Sequence, residues 1–301
     1  DPTPEKLPVT VSETNGITVL THDIQNGLTY LNLHFDVSDL SMKELPVASL
    51  LTKLLGKLPT VNYSSAQLQT LTKQKVGKLR FIPNVYSGKK ASVHLCAEMV
   101  CLANQGETAV ALLCEILTET LFEDKLLLKN LLNQIMMQLQ MEFVGAGHQY
   151  AMTRACSMLT GPGAAKEAMV GSSFIQWVKA QCAADDGQLD EIAAQLKAVA
   201  GKAFCAKRLT VSLSSNAEKL IDPVLRAFPK GSASGSAQLT PNTTDQIGLP
   251  IPAPIGFASK ASNIKNYGGS FHGSIYVLTN VLNFIYLWNE IRVQGGAYGC
   301  G

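Results

Sequence analysis

Residues 287–301, Leu-Trp-Asn-Glu-Ile-Arg-Val-Gln-Gly-Gly-Ala-Tyr-Gly-Cys-Gly, read as the end of an apolar helix running into a glycine-rich turn. Leu282, Ile285, Tyr286 and Trp288 supply a wide apolar face, and Asn289 and Glu290 the polar positions. The paired Gly295 and Gly296 stop the helix, because glycine has no Cβ to bar a positive φ. This places Arg292 in the last helical turn and Tyr298 six residues further on. A guanidinium and a phenol carried on one rigid element can bind a carboxylate or carbonyl and stabilise a developing oxyanion. The same spacing equally describes an ordinary helix C-terminus with a solvated arginine and a packed tyrosine.

Upstream, 16–22 and 28–37 alternate with period two and read as strands joined through a turn at Gln25-Asn26-Gly27. His22 and His34 then fall on a strand surface. Residues 45–58 form an amphipathic helix with Pro46 in its first turn, and Ser64 caps a second helix to about Lys75. A strand hairpin follows over 78–86 and 90–101, through Ser87-Gly88. Helices are expected over 108–122, 126–143, 150–159, 173–183, 189–199 and 217–228, with Gly161-Pro162-Gly163 as a breaker and a strand over 208–214. Met136, Met137 and Met141 read as core filler rather than a cofactor box. The order of elements predicts an α+β fold, a mostly antiparallel sheet with helices packed on one face. Residues 229–252 lose periodicity and collect Pro, Gly, Ser and Thr, which marks a domain boundary. A further strand is expected near 255–262.

Composition narrows the function classes. The 301 residues are 46% hydrophobic and 16% charged, as in a globular chain with a substantial core. A formal charge of +2, without basic runs interleaved with aromatics, argues against a nucleic-acid partner. No apolar run reaches the ~18 residues of a membrane span. The seven cysteines include no C-x-x-C and are odd in number, which suits buried free thiols in a reducing compartment: the cytoplasm, or alternatively a mitochondrial or plastid matrix. Cys156, in an apolar helical pattern, reads as core rather than as a nucleophile. Zinc hydrolysis needs two imidazoles on one helical face, a third ligand and a general base. The five histidines at 22, 34, 94, 148 and 272 form no such pair. P-loop and G-x-S-x-G patterns are absent, and the terminal glycines do not fit G-x-G-x-x-G.

Leu287-Trp288, Ile291-Arg292 and Gly295-Gly296-Ala297-Tyr298-Gly299 resemble a segment of the pitrilysin/insulinase-type zinc metallopeptidases. The six-residue step and the GGAYG are closest to the presequence protease and falcilysin branch, C-terminal half. The resemblance implies four homologous α/β domains that form a two-bowl chamber. Zinc would be held in the N-terminal bowl by an inverted H-x-x-E-H motif, while Arg292 and Tyr298 reach the substrate from the C-terminal bowl. Where an active domain carries that motif, this chain has Leu50-x-x-Lys53-Leu54, without the histidines or the carboxylate.

The chain is therefore expected to be a fragment. It would comprise a linker (1–10), one non-catalytic domain (11–228), a second linker (229–252) and the start of a second homologous domain (253–301). The complete enzyme would be a zinc metalloendopeptidase for unstructured peptides, with zinc, the peptide substrate and the N-terminal half of the same polypeptide as partners. This portion would bind no zinc. The alternative is a catalytically inactive structural or assembly subunit, as in the processing-peptidase and core-protein branch.

Overall fold

The computed structural model describes residues 8–88, 90–233, 235–243 and 247–300. Two compact units, Asp1–Lys260 and Ala261–Gly301, divide the chain. The first unit is α+β. It opens with β1 (Val9–Thr14), β2 (Ile17–His22), β3 (Leu28–Asp36), α1 (Leu45–Leu54), α2 (Ser65–Lys75), β4 (Lys78–Ser87) and β5 (Ala91–Leu102). Six helices follow: α3 (Gly106–Thr118), α4 (Lys125–Gly145), α5 (Gly147–Ser157), α6 (Gly161–Val170), α7 (Ser172–Cys182) and α8 (Asp186–Ala203). The strand β6 (Leu209–Ser214) and the short helix α9 (Ile221–Ala227) complete the set.

Local sequence explains most of these boundaries. Ser64 and Gln67 form a reciprocal capping box that starts α2, and Asp185 and Gln188 do the same for α8. Asn15 and Gly16, at φ 54° and 77°, make the two-residue turn with both central residues at positive φ that matches strand twist between β1 and β2. The Gly161-Pro162-Gly163 breaker proves to be the first turn of α6, capped by Thr160. Proline lacks only an N–H that a first turn leaves unpaired in any case. Residues 1–10, read as a linker, fall largely outside the described residues, and β1 already begins at Val9.

The sheet order is β1-β2-β6-β3-β5-β4, antiparallel throughout except between β2 and β6. The expected pairing of the two early strands does not form, because β6, some 170 residues later in the chain, lies between them. Val211 and Leu213 are fully buried there, which a strand at the margin would not achieve. One face of the sheet is the core: Val19, Val211, Leu33 and Ala97 stand in one cross-strand row and Leu213, Leu31 and Met99 in the next, all buried. Helices α1 and α6 lie against β4, and α3 against β5.

The opposite face is polar and half exposed. His22 Nε2 lies 3.0 Å from Ser212 Oγ, and His34 Nδ1 lies 3.1 Å from Cys96 Sγ. Burial lowers the pKa of both His34 and His94, and each imidazole's neighbourhood adds a smaller opposing carboxylate, Glu98 and Asp36 respectively.

Where β6 enters, Arg208 is buried. Its Nη1 donates to the Asp36 carbonyl at 2.9 Å and to Asp39 Oδ1 at 2.6 Å, its Nη2 to Asp39 Oδ2 at 2.7 Å, and its Nε to the Ser232 carbonyl at 3.0 Å. The same corner anchors the turn-rich stretch after α9. Ala206 N donates to Pro229 O, Ala237 N to Ser38 O, and Asn242 N to Ser157 O. Side chains of this stretch are mostly exposed, yet its backbone is tied to the domain at successive points. The strand expected over 255–262 is absent; those residues have no adjacent strand among the described residues to take their backbone hydrogen bonds.

Two other expectations are corrected. Cys156 is exposed, whereas Cys96, Cys101, Cys114 and Cys205 are buried; burial pushes the Cys114 thiol up to about 12, which keeps it protonated and inert. Met136 is core, but Met137 and Met141 lie on the outer side of α4 and are exposed.

Two outcomes follow from this packing. Asp39→Ala leaves a buried guanidinium without its carboxylate and should lower unfolding free energy by about 3–5 kcal/mol, read from denaturant titration; a loss under ~1 kcal/mol would mean the clamp is solvated. For the imidazoles, the folded state holds neutral groups that the unfolded chain protonates near pH 6.5. Their contribution is therefore intact above about pH 6.5 and lost as pH falls through the lowered folded values. The melting temperature should drop between pH 7 and pH 5, and the double variant His34→Asn, His94→Asn should show a shallower slope. An unchanged slope would exclude these two groups as its source.

Candidate functional site

The second unit holds the stretch that carries Arg292 and Tyr298. A short 3-10 turn, Ile264–Tyr267, ends at Gly268 (φ 72°) and leads to helix α10 (Ser274–Val281). Winding then loosens to a π-helix over Leu282–Gln294, with Gly295 N donating to Glu290 O five residues back. The end of this helix is a Schellman cap: Gly296 N donates to Arg292 O, and Ala297 N to Ile291 O. The two glycines are needed for different reasons. Gly296 takes the left-handed conformation at φ 71°, while a Cβ on Gly295 would stand 2.6 Å from Ile291 O.

Arg292 lies in the last turn, its Cζ 4.2 Å from the centre of the Trp288 ring. Stacking on an aromatic face holds the planar fork with its N–H edges outward, at a gain of roughly 0.5–1 kcal/mol for an exposed pair. Tyr298 follows the cap and is 83% exposed, so its phenol is presented rather than packed in this unit. The structure sets both groups on one capped helix end, but no hydrogen bond joins them among the described residues. A donor fork and a single O–H held this way suit recognition of carbonyl or carboxylate oxygens.

The position expected to match a zinc-binding helix lies in α1. Leu50 and Leu54 are completely buried in the core, and Lys53 is half buried with its pKa lowered by burial, against a smaller opposing effect of Glu142. Two leucines and a lysine offer no ligand to a divalent ion, so these residues do not fit a zinc centre. Among the described residues, no group of three or more His, Cys, Asp or Glu side chains is placed to hold a metal ion. No helix among them is long and apolar enough to cross a membrane.

Sequence reading missed the polar sheet face as a surface. Asn84, His94 and Cys96 fall on it because cross-strand register stacks alternate residues of β4 and β5 beside His34, with Asn84 Nδ2 3.4 Å from Cys96 Sγ. Alternation within each strand was visible, but not which strands adjoin. A cavity of about 560 Å³ in the helix layer was also not foreseen. Leu55, Leu117, Phe204 and Phe228 line it, with Lys197 and Arg226 at its rim.

Comparison with known proteins agrees with this geometry. Residues 2–180 match the family described as the associated domain of M16 peptidases, subfamily C. Presequence protease 1, chloroplastic/mitochondrial, of Arabidopsis thaliana is 26% identical over 98% of this chain and 28% of its own length. Protein HypA of Clostridium perfringens is 26% identical over 98% of the chain and 31% of its length. The mitochondrial presequence protease of Drosophila melanogaster is 26% identical over 92% and 28%. Among solved structures, a peptidase M16 inactive domain from Pseudomonas fluorescens aligns at 20% identity with a TM-score of 0.49, over 78% of this chain and 54% of that one. The chain thus spans about 30% of the length of the curated relatives it matches. With over half of its residues matched to the family, this chain belongs to the peptidase M16 associated family of subfamily C.

Proposed function

We propose that this chain is part of the C-terminal half of a presequence-protease-like zinc metalloendopeptidase, which degrades unstructured peptides inside a closed chamber. The observation that carries the reading is the alignment of 98% of the chain with a presequence protease, together with an α1 helix whose zinc-ligand positions are core leucines. In this reading residues 11–228 are a non-catalytic homology domain and 253–301 the start of a second. The zinc ligands lie in the other half of the longer polypeptide. The exposed apolar residues of the final helix, such as Tyr276, Phe284, Ile285 and Val293, are then the inner face of that second domain.

Peptide hydrolysis places negative charge on the carbonyl oxygen in the tetrahedral transition state, and a fixed donor acts on that state more than on the substrate. Tyr298 supplies one O–H for it. Arg292, held on Trp288, grips neighbouring backbone carbonyls through two parallel N–H groups. The rival reading, an inactive assembly subunit, draws on the same α1 helix, since a scaffold also lacks ligands there. An exposed Tyr298 favours the enzyme, because a scaffold has no use for an unpacked phenol at this point.

In the longer polypeptide, Tyr298→Phe should lower kcat by roughly 10²-fold, the scale of one lost oxyanion donor, with an unchanged melting temperature. Arg292→Lys should raise KM and lower kcat together, because an ammonium cannot reproduce the fork. Near-normal turnover of Tyr298→Phe would favour the scaffold. The 301-residue chain by itself should retain no stoichiometric zinc after dialysis, measured by elemental analysis; one tightly held ion per chain, lost on replacing His22 and His34, would contradict the assignment.

A further inference from the structure

The two edges of the sheet are built differently. At one edge β4 carries Lys78, Arg80 and Pro83, the residue types that discourage pairing with another strand, and Lys78 is tied back to Glu98 at 2.8 Å. At the other edge β1 reads Val-Thr-Val-Ser-Glu-Thr, with neither lysine nor proline, and most of it is exposed. Among the described residues no strand lies beyond β1.

Register shows what this edge offers. Thr14 pairs with Ile17 across the two-residue turn, so Thr14, Ser12 and Thr10 direct their backbone groups to β2. Val11 and Glu13, in the alternate pairs, direct their N–H and C=O outward. Side chains add a second signal. Val11 stands opposite Leu20 and Val9 opposite His22, so both valines lie on the otherwise polar face, and Val11 is 67% exposed. Thr10 and Ser12 take the face that is apolar in the neighbouring strands. β1 therefore shows free backbone groups and a short apolar strip, Val9, Val11 and Leu20, on one side.

We infer that the outer edge of β1 takes up an extended substrate peptide as an added antiparallel strand, with apolar side chains at alternate positions over Val9, Val11 and Leu20. This rests on the reading that peptides are the substrate of the longer polypeptide. A linear ligand fits better than a second copy of the chain. A six-residue edge spans only about 20 Å and falls well short of the ~1,600 Å² of a standard protein interface. Self-pairing would also bring two Glu13 carboxylates and no base, whereas a basic peptide complements Glu13. Backbone pairing supplies affinity with little sequence demand, and the valine strip selects alternating apolar residues.

The test is fluorescence anisotropy with the 301-residue chain and a fluorescein-labelled ten-residue peptide, five repeats of Val-Arg. Saturable binding is expected, weakened roughly tenfold by Val11→Pro, which removes one outward N–H but no hydrogen bond to β2, and kept by Val11→Thr. In antiparallel pairing, the peptide residues over Val11 also turn their N–H groups toward β1. N-methylation of the valines should abolish binding, and N-methylation of the arginines should not. This pair of probes keeps the test intact even if Val11→Pro fails to fold. Equal binding of both methylated probes, or no saturable binding, would overturn the inference. Concentration-dependent dimerisation abolished by Val11→Pro would also overturn it, in favour of a second copy. Binding does not depend on turnover, so a polypeptide that binds the probe yet cleaves no peptide would sink the enzyme reading and leave this one standing.

Discussion

Arg208 sits where three chain segments must meet. Its guanidinium holds the carbonyl that ends β3, the Asp39 carboxylate just beyond it and the backbone of Ser232, and its side chain is only 3% exposed. Phe35 packs edge-on against Phe204 and Phe228, at 5.1 Å and 5.2 Å between ring centres, so an apolar floor lies nearby. A buried ion pair of this kind contributes little net stability, because desolvation offsets most of the attraction. Its effect is selective: any other placement of β6 leaves a charge buried without a partner. The late strand is thereby committed to the slot between β2 and β3, and the sheet becomes mixed rather than a plain meander.

That commitment creates two unlike faces. The core face accepts only apolar side chains and binds the helices through them. The open face has no helix to satisfy and gathers His22, His34, His94, Asn84 and Cys96 into one half-exposed polar field. Desolvation keeps the His34 and His94 imidazoles neutral near physiological pH, so the surface meets a ligand as hydrogen-bonding groups rather than as positive charge. At its margin the polarity inverts, and the two valines of β1 provide its apolar border.

The second unit follows another logic. Its helix carries large apolar residues around most of its circumference, and nearly all are exposed within the unit. A helix of that composition is stable only when covered. The capped end with Arg292 and Tyr298 is nevertheless specified locally, since the Schellman turn needs only Gly296 at positive φ and the clearance at Gly295. A site built on such a cap keeps its geometry whatever later covers the helix.

The sequence by itself determined the elements whose signals are local. Ser64 with Gln67 marked the start of α2, alternation marked β3, β4 and β5, and Gly295-Gly296 marked the end of the final helix, because capping, pleat and glycine φ act within a few residues. The α+β class and the empty ligand positions at Leu50, Lys53 and Leu54 were legible for the same reason: residue type at a fixed spacing either supplies the chemistry or does not. Tertiary structure alone decided that β6 separates β2 from β3, since a six-residue strand carries no local record of its neighbours and its place is set by burial of Val211 and Leu213 and by the Arg208 clamp. It also decided that Gly161-Pro162-Gly163 opens a helix once Thr160 is there to cap it. The segment expected as a strand near residue 255 lacked one for the complementary reason: a strand exists only beside a partner, and partners are assigned by the whole fold.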